Sequence, residues 1–346
     1  MTAAAQPAVS RAARALAFAS AGVFGLLGIA ALGITVLGHV DRPGVTLDLS
    51  PPVIAKPSAP AKAAPAAPEA PPLSIDKVTM AGRALLADPA LIEKSPQGPL
   101  PRIADNGRTP MAAYAAPARG GKFRIAIVVS GLGLGAKATA AALAALPAGV
   151  SLAYVPYGPH VQQSVAAARQ GGHEVLLEVP MEPFDFPDSD PGPYTLRSGI
   201  ERDGNGEKLE WLLSRFTGYA GVTNLLGQRL LSDAGALSPV MTQFARRGLY
   251  FYDNGAAAQS AAPDVAGRLG APFAKATARL DAIQTALEID KHLSDLETQA
   301  RAHGSAIGSG SLYPVTVERI AAWAKGLEKR GFVLVPVSAI VSSPSK

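Results

Sequence analysis

From Phe123 onward the chain alternates unbroken apolar runs with amphipathic stretches: "FRIAIVV", "AKATAAALAAL", "VSLAYVP", "HVQQSVAAARQG" and "EVLLEVPM" follow in direct succession. An apolar run without polar alternation is the signature of a strand buried on both faces, and such strands belong to parallel sheets covered by helices. The pattern continues through "EKLEWLLSRF", "GYAGVTNLL", "ALSPVMTQFARRG", "LYFYDN", "DVAGRLG", "DKHLSDLETQARAHG", "SAIGSG", "TVERIAAWAKGLEKRG" and "FVLVPVS". Six or seven β/α units over about 220 residues predict one barrel-like or doubly wound α/β domain across 120–342. In either architecture function sits at the C-terminal ends of the strands.

Nothing before residue 120 has this texture. Residues 15–38 carry no charge over 24 positions, enough to span about 36 Å as a helix at about 1.5 Å per residue. A signal peptide would have an apolar region of about 7–15 residues, so an uncleaved transmembrane anchor is expected. Arg11 and Arg14 precede it with no acid between them, which places residues 1–14 in the cytoplasm and the rest in the periplasm, at the inner membrane. Residues 39–72 read as a Pro/Ala-rich linker, with 16 of the 22 residues from 51 to 72 being Ala or Pro. Residues 73–119 read as an extension packing on the domain, with a short helical pattern at "KVTMAGRALLADPALIE".

Charge supports this division. Residues 1–119 hold 11 Lys and Arg against 7 Asp and Glu, leaving 21 against 20 for the remainder. A nearly neutral folded part lacks the overall basic charge of a nucleic-acid binder, so no nucleic-acid partner is expected. The absence of cysteine excludes disulfides, thiolate metal sites and cysteine nucleophiles.

Four strand ends carry polar or glycine-rich sequence: "VVSGLGLG", "EVPMEPFDFPDSDPG", "GVTNLLGQ" with "YFYDNG", and "AIGSGSLYP". Gly131, Gly133 and Ala136 fit the spacing of a dinucleotide turn, but "GVSLAYVP" offers no acid about 20 positions on to hold a ribose. Lys137 lacks the flanking residues of a P-loop. A serine-hydrolase elbow needs glycine where Val128 stands, and no histidine can be assigned as base to Ser130. A tight turn is the reading left for Ser130 and its glycines. Glu182, Asp185, Asp188 and Asp190 lack calcium-loop spacing and read as a solvated loop. Phe184, Phe186, Tyr194, Tyr252 and Tyr313 lie near the same rim, suited to stacking on sugar rings or to packing in the core. His160, His173, His292 and His303 flank or lie on helices, where solvated or capping imidazoles are usual.

The stretches "DPALIEKSPQGPLPRI", "IAIVVSGLG", "EVLLEVPMEP", "GVTNLLGQ", "GLYFYDN", "RLDAIQTALEIDKHLSDLE", "GSAIGSG" and "GFVLVPVS", in this order from about Asp88 to Ser338, resemble the divergent polysaccharide deacetylase family. Its members are periplasmic relatives of metal-dependent carbohydrate deacetylases. Pro180 to Pro183 is the most specific piece. The resemblance implies an irregular (β/α) barrel of the glycoside hydrolase/deacetylase type, and it also exposes departures. Ser130 and Gly131 stand where the family has two aspartates, and Glu178 where a histidine is common. The asparagine-asparagine-histidine turn becomes Thr223, Asn224 and Leu225, and the late isoleucine-glycine-histidine becomes Ser309, Gly310 and Ser311. Asp253 and Asp281 keep the family's acidic identity.

A hydrolytic zinc needs about three protein ligands and an open position. The departures therefore imply a deacetylase-like envelope protein related to carbohydrate metabolism, a pseudoenzyme without metal cofactor, that binds cell-envelope glycan or an envelope protein. Its cleft is expected to be lined by Ser130, Glu178, Glu182, Asn224, Asp253 and Ser311. Two alternatives stay open. One is an active deacetylase of amino-sugar polysaccharide, with Asp253 and Glu178 or Glu182 as substitute ligands for zinc or another divalent cation, and with Asp253 and Glu182 the candidate catalytic groups. The other is a structural tethered domain that docks a partner.

Overall fold

The computed structural model describes residues 87–342. The anchor expected at 15–38 and the linker at 39–72 lie outside them, and no helix among the described residues is long and apolar enough to cross a membrane. The described chain begins with a 3-10 turn, Pro89–Leu91, whose N-terminus is capped by the Asp88 side chain accepting from Ala90 N. A hairpin follows, β1 (Ile92–Ser95) antiparallel to β2 (Gly98–Pro101), and then a short helix, α1 (Pro110–Tyr114). This corrects the helical pattern read through "ALIE". Gly98 at φ +125° reverses the chain, and the Ser95 hydroxyl donates to the Gly98 carbonyl at 2.8 Å.

The expected α/β domain then forms one parallel sheet. Its strands are β3 (Arg124–Leu132), β4 (Ser151–Tyr154), β5 (Val175–Met181), β6 (Gly221–Leu226), β7 (Tyr250–Asp253), β8 (Phe273–Lys275), β9 (Ala278–Arg279), β10 (Ser305–Ser311) and β11 (Val333–Leu334). The spatial order is β8-β7-β6-β5-β4-β3-β10-β9, with β11 beside the start of β3. β8 pairs with β7, and two residues later the same segment, as β9, pairs with β10. Between them Ala276 N donates to Asp253 O and Thr277 N to Ile307 O, so the sheet curls round on itself into an irregular barrel. Around it lie α2 (Ala136–Ala145), α3 (Val161–Gln170), α4 (Asn205–Leu213), α5 (Gln228–Ser232), α6 (Ala234–Arg246), α7 (Ala262–Leu269), α8 (Ala286–His303) and α9 (Pro314–Ala324). Local chemistry sets their limits: the Asp233 side chain caps α6, Thr285 caps α8, and Gly304 at φ +82° ends α8.

The side chains of each strand divide between two cores. Ile125, Ile127, Val129, Leu177, Val179, Val222 and Phe251 pack with helix residues such as Val165, Leu209 and Leu237. Ala126, Val128, Leu176, Tyr250, Tyr252 and Ile307 share a second cluster, inside the barrel, with Leu91, Ala104, Tyr114, Val335 and Val337, which flank the strand-and-helix part of the domain. The barrel floor is thus plugged by both ends of the domain. At its centre Glu174, fully buried, accepts from Tyr250 Oη at 2.8 Å, Ser338 N at 3.0 Å, Ala116 N at 3.3 Å, Ser151 Oγ at 3.4 Å and the Ser338 hydroxyl. Its neighbour His173 is buried rather than solvated, with Nδ1 2.9 Å from Val150 O. Burial lowers the imidazole pKa, opposed by the bond to Val150.

The glycine-rich turn after β3 is explained by sterics. Gly131 and Gly133 take φ of +92° and +97°, a region costly for side chains with a Cβ. Gly158, in the loop after β4, packs directly on the Gly133 carbonyl, and a methyl group there would overlap the Gly133 backbone. Gly158→Ala is expected to cost about 1–3 kcal/mol by forcing this loop apart, measured as a shift in urea midpoint; an unchanged midpoint would refute the contact.

Candidate functional site

The strand ends meet at the upper, C-terminal mouth of the barrel, and register decides which side chains face each other there. Glu178 pairs with Thr223, and Thr223 with Tyr252. Ser309 pairs with Val128 and Ser311 with Ser130. All of these positions continue the interior rows of Leu176, Tyr250, Val128 and Ile307. The upper interior layer is therefore Ser130, Glu178, Thr223, Tyr252, Ser309 and Ser311: one carboxyl group among hydroxyls.

Its electrostatics follow from burial. Glu178 is 1% exposed and accepts from the Gly131 N–H across the barrel. Burial pushes its carboxyl up from an ordinary 4.5 to about 8, against the Gly131 hydrogen bond, so Glu178 is largely a neutral acid at pH 7. Burial likewise raises the Tyr252 phenol, opposed by the Ser309 hydroxyl and reinforced by the Asp253 charge. Ser130 Oγ and Thr223 Oγ1 are buried without a hydrogen-bond partner.

Asn224 and Asp253 sit one step along their strands, in line with Val222 and Phe251, which pack toward the helices. Both are fully buried. Asn224 Nδ2 donates to Leu226 O at 2.7 Å and to Asn254 Oδ1 at 2.9 Å, and Asn254 N returns a bond to Asn224 Oδ1 at 3.1 Å. Asp253 Oδ1 accepts from Gly255 N at 2.9 Å, and Oδ2 is without partner. Glu182, beyond the end of β5, accepts from Ser198 N at 2.6 Å and Ser198 Oγ at 2.7 Å, with Arg197 at 3.3 Å and Arg229 at 3.5 Å. Burial would raise its pKa, but these hydrogen bonds and guanidinium groups win and hold it below the ordinary carboxylate range. Asp281 ties β10 to α9 by accepting from Ser311 N at 2.6 Å and Thr316 Oγ1 at 2.9 Å. The structure thus brings Ser130, Glu178 and Ser311 together, and gives Glu182 and Asn224 local partners that hold loops in place.

Thr223 and Tyr252 join the interior layer although the sequence reading did not include them in the cleft. Their signal was a period of two from Gly221 and Tyr250, hidden because every residue of "LYFY" is apolar or aromatic. Among the five rim aromatics, Phe184 and Tyr313 are exposed, at 67% and 40%. Phe186 lies under the Arg197 guanidinium, Tyr194 stacks on Trp211 at 3.5 Å, and Tyr252 is inside the barrel.

A hydrolytic divalent cation does not fit these residues. It needs about three His or carboxylate donors converging on one point, and the interior layer supplies one carboxyl that burial keeps protonated. Among the described residues no group of three His, Asp or Glu is placed to hold a metal ion.

Residues 127–341 match the model of a family described as divergent polysaccharide deacetylase. The chain is 26% identical over 200 residues to the uncharacterized protein YibQ of Escherichia coli (strain K12), covering 58% of this chain and 62% of that protein, so it spans less than two thirds of that relative. It is 24% identical over 204 residues to an uncharacterized protein of Haemophilus influenzae, covering 59% of this chain and 72% of the other. The crystal structure of the uncharacterized protein ATU2773 from Agrobacterium tumefaciens C58 is similar at 40% identity with a TM-score of 0.69, over 70% of this chain and all of that one.

Proposed function

Because the chain belongs to the divergent polysaccharide deacetylase family, we propose that it is an envelope protein whose barrel mouth binds acetylated amino-sugar glycan without hydrolysing it. The observation that carries this reading is the pairing of a neutral buried acid, Glu178, with two buried hydroxyls that have no partner, Ser130 and Thr223. A protonated carboxyl donates and accepts at once, which suits the carbonyl and N–H of an acetamido group. Phe184 and Tyr313, exposed at the rim, supply apolar faces for sugar rings. The uncharged segment 15–38 supports an inner-membrane anchor with the barrel in the periplasm. One observation favours the active deacetylase instead: Asp253 Oδ2 is buried without a partner, as a recruited ligand would be.

The test is a calorimetric titration with N-acetylglucosamine oligomers and peptidoglycan fragments, run with chelator present. Thr223→Val keeps the shape and removes the hydroxyl. It is expected to raise stability by about 1 kcal/mol, because an unpaired buried hydroxyl is costly, and to weaken glycan binding about fivefold. Affinity should also fall above pH 8 as Glu178 ionises. Retained affinity in the variant, or acetyl release lost on chelation, would overturn the proposal.

A further inference from the structure

Two clefts at the floor of the barrel, opposite the mouth, share Arg119. One is lined by Arg119, Lys122, Arg124 and His303, the other by Arg119, Lys325, Glu328 and Lys329. Arg301 lies beside the first, over the rings of Phe123 and Phe332, which stand 6.1 Å apart. The acids at this end are already engaged: Glu328 pairs with Arg119 at 3.0 Å, Glu297 with Arg330 at 2.9 Å, and Glu174 is buried in the plug. Lys122, Lys325 and Lys329 are exposed and form no ion pair among the described residues. The mouth end carries acids and bases together, with Asp185, Asp188 and Asp190 on the loop after β5 and Arg197 and Arg229 beside Glu182.

Helix dipoles explain part of the basic floor, since cations favour helix C-termini and Arg301 is in the last turn of α8. They account for Arg124, the first residue of β3, whose N–H donates to Gly304 O at 3.0 Å where α8 ends, but less for Arg119 and Lys122, which lie in the segment before β3. The first described residues also pack at this floor, with Leu91 in the interior cluster and Asp88 N–H donating to Tyr114 Oη at 3.0 Å. We propose that the basic floor is a docking surface for an anionic phospholipid surface, the headgroup phosphates lying along the clefts joined by Arg119. Docking in this way turns the mouth away from the bilayer, toward the envelope glycan. The inference is independent of what the mouth binds.

The experiment uses residues 73–346, which form a compact unit containing both cores, and so excludes the apolar segment 15–38. Sedimentation with phosphatidylglycerol-containing vesicles is compared with pure phosphatidylcholine vesicles. Binding is expected to the anionic vesicles alone, and to weaken steeply as salt is raised from about 0.05 M to about 0.5 M, because screening shortens the Debye length to a few ångströms. The triple variant Lys122→Gln, Lys325→Gln, Lys329→Gln should reduce the partition coefficient about a hundredfold, each lysine near a charged surface contributing about fivefold. A far-ultraviolet spectrum and melting curve like those of the unaltered domain exclude misfolding. Equal binding to neutral vesicles, no binding to anionic ones, or unchanged partition in a folded triple variant would overturn the proposal, as would capture by a soluble polyanion such as heparin with no retention on vesicles.

Discussion

Glu178→Gln is expected to leave stability near pH 5 almost unchanged and to make the protein the more stable of the two at pH 8. In the folded chain burial holds the Glu178 carboxyl at about 8, against 4.5 when exposed. Between those values the unfolded chain is ionised while the folded one keeps its proton, so the unfolded state binds fewer protons and stability falls as pH rises. The slope is about 1.4 kcal/mol per pH unit, or about 4 kcal/mol between pH 5 and pH 8. Glutamine still accepts from Gly131 N–H but cannot ionise, so this slope disappears in the variant. Denaturant melts of both proteins across this range measure the difference directly. Parallel curves would mean that Glu178 is not held in an apolar, uncharged interior.

The second large effect lies at the other end of the barrel. Glu174→Ala removes the acceptor shared by Tyr250, Ser338, Ala116 and Ser151, and leaves donors from the segments before β3 and after β11 without that partner. A loss of about 3–5 kcal/mol is expected, at about 1 kcal/mol for each orphaned donor, with a fall in Tm on the order of 10 °C. Glu174→Gln retains acceptor capacity and should lose less. A melting temperature unchanged in the alanine variant would show that the plug is held by the apolar contacts of Leu91, Tyr114, Val335 and Val337 alone.

The barrel was legible in the sequence because strands buried on both faces must be apolar throughout, and these runs alternate with helices. That same property hid the site. In "GVTNLL" and "LYFYD" nothing polar alternates with anything apolar along the strand, so the sequence did not tell which of Thr223 and Asn224, or Tyr252 and Asp253, faces inward; the pairing register does. The hairpin at 92–101 was masked by a helical spacing of apolar residues that Gly98 and three prolines override. Glu174, the first residue of the run "EVLLEVPM", gave no signal of its role, since its burial depends on Ala116 and Ser338, which are 58 and 164 positions away in the chain. The motif resemblance, by contrast, rests on local stretches, and so the family could be read before the geometry was known.

The most direct test of a mouth built from neutral hydrogen-bonding groups is the metal content of the purified protein after incubation with zinc, cobalt and manganese and removal of unbound ions. Elemental analysis should find no divalent cation in stoichiometric amount, in the parent protein or in Asp253→Ala. One equivalent per chain, lost when Asp253 or Glu178 is replaced, would contradict it.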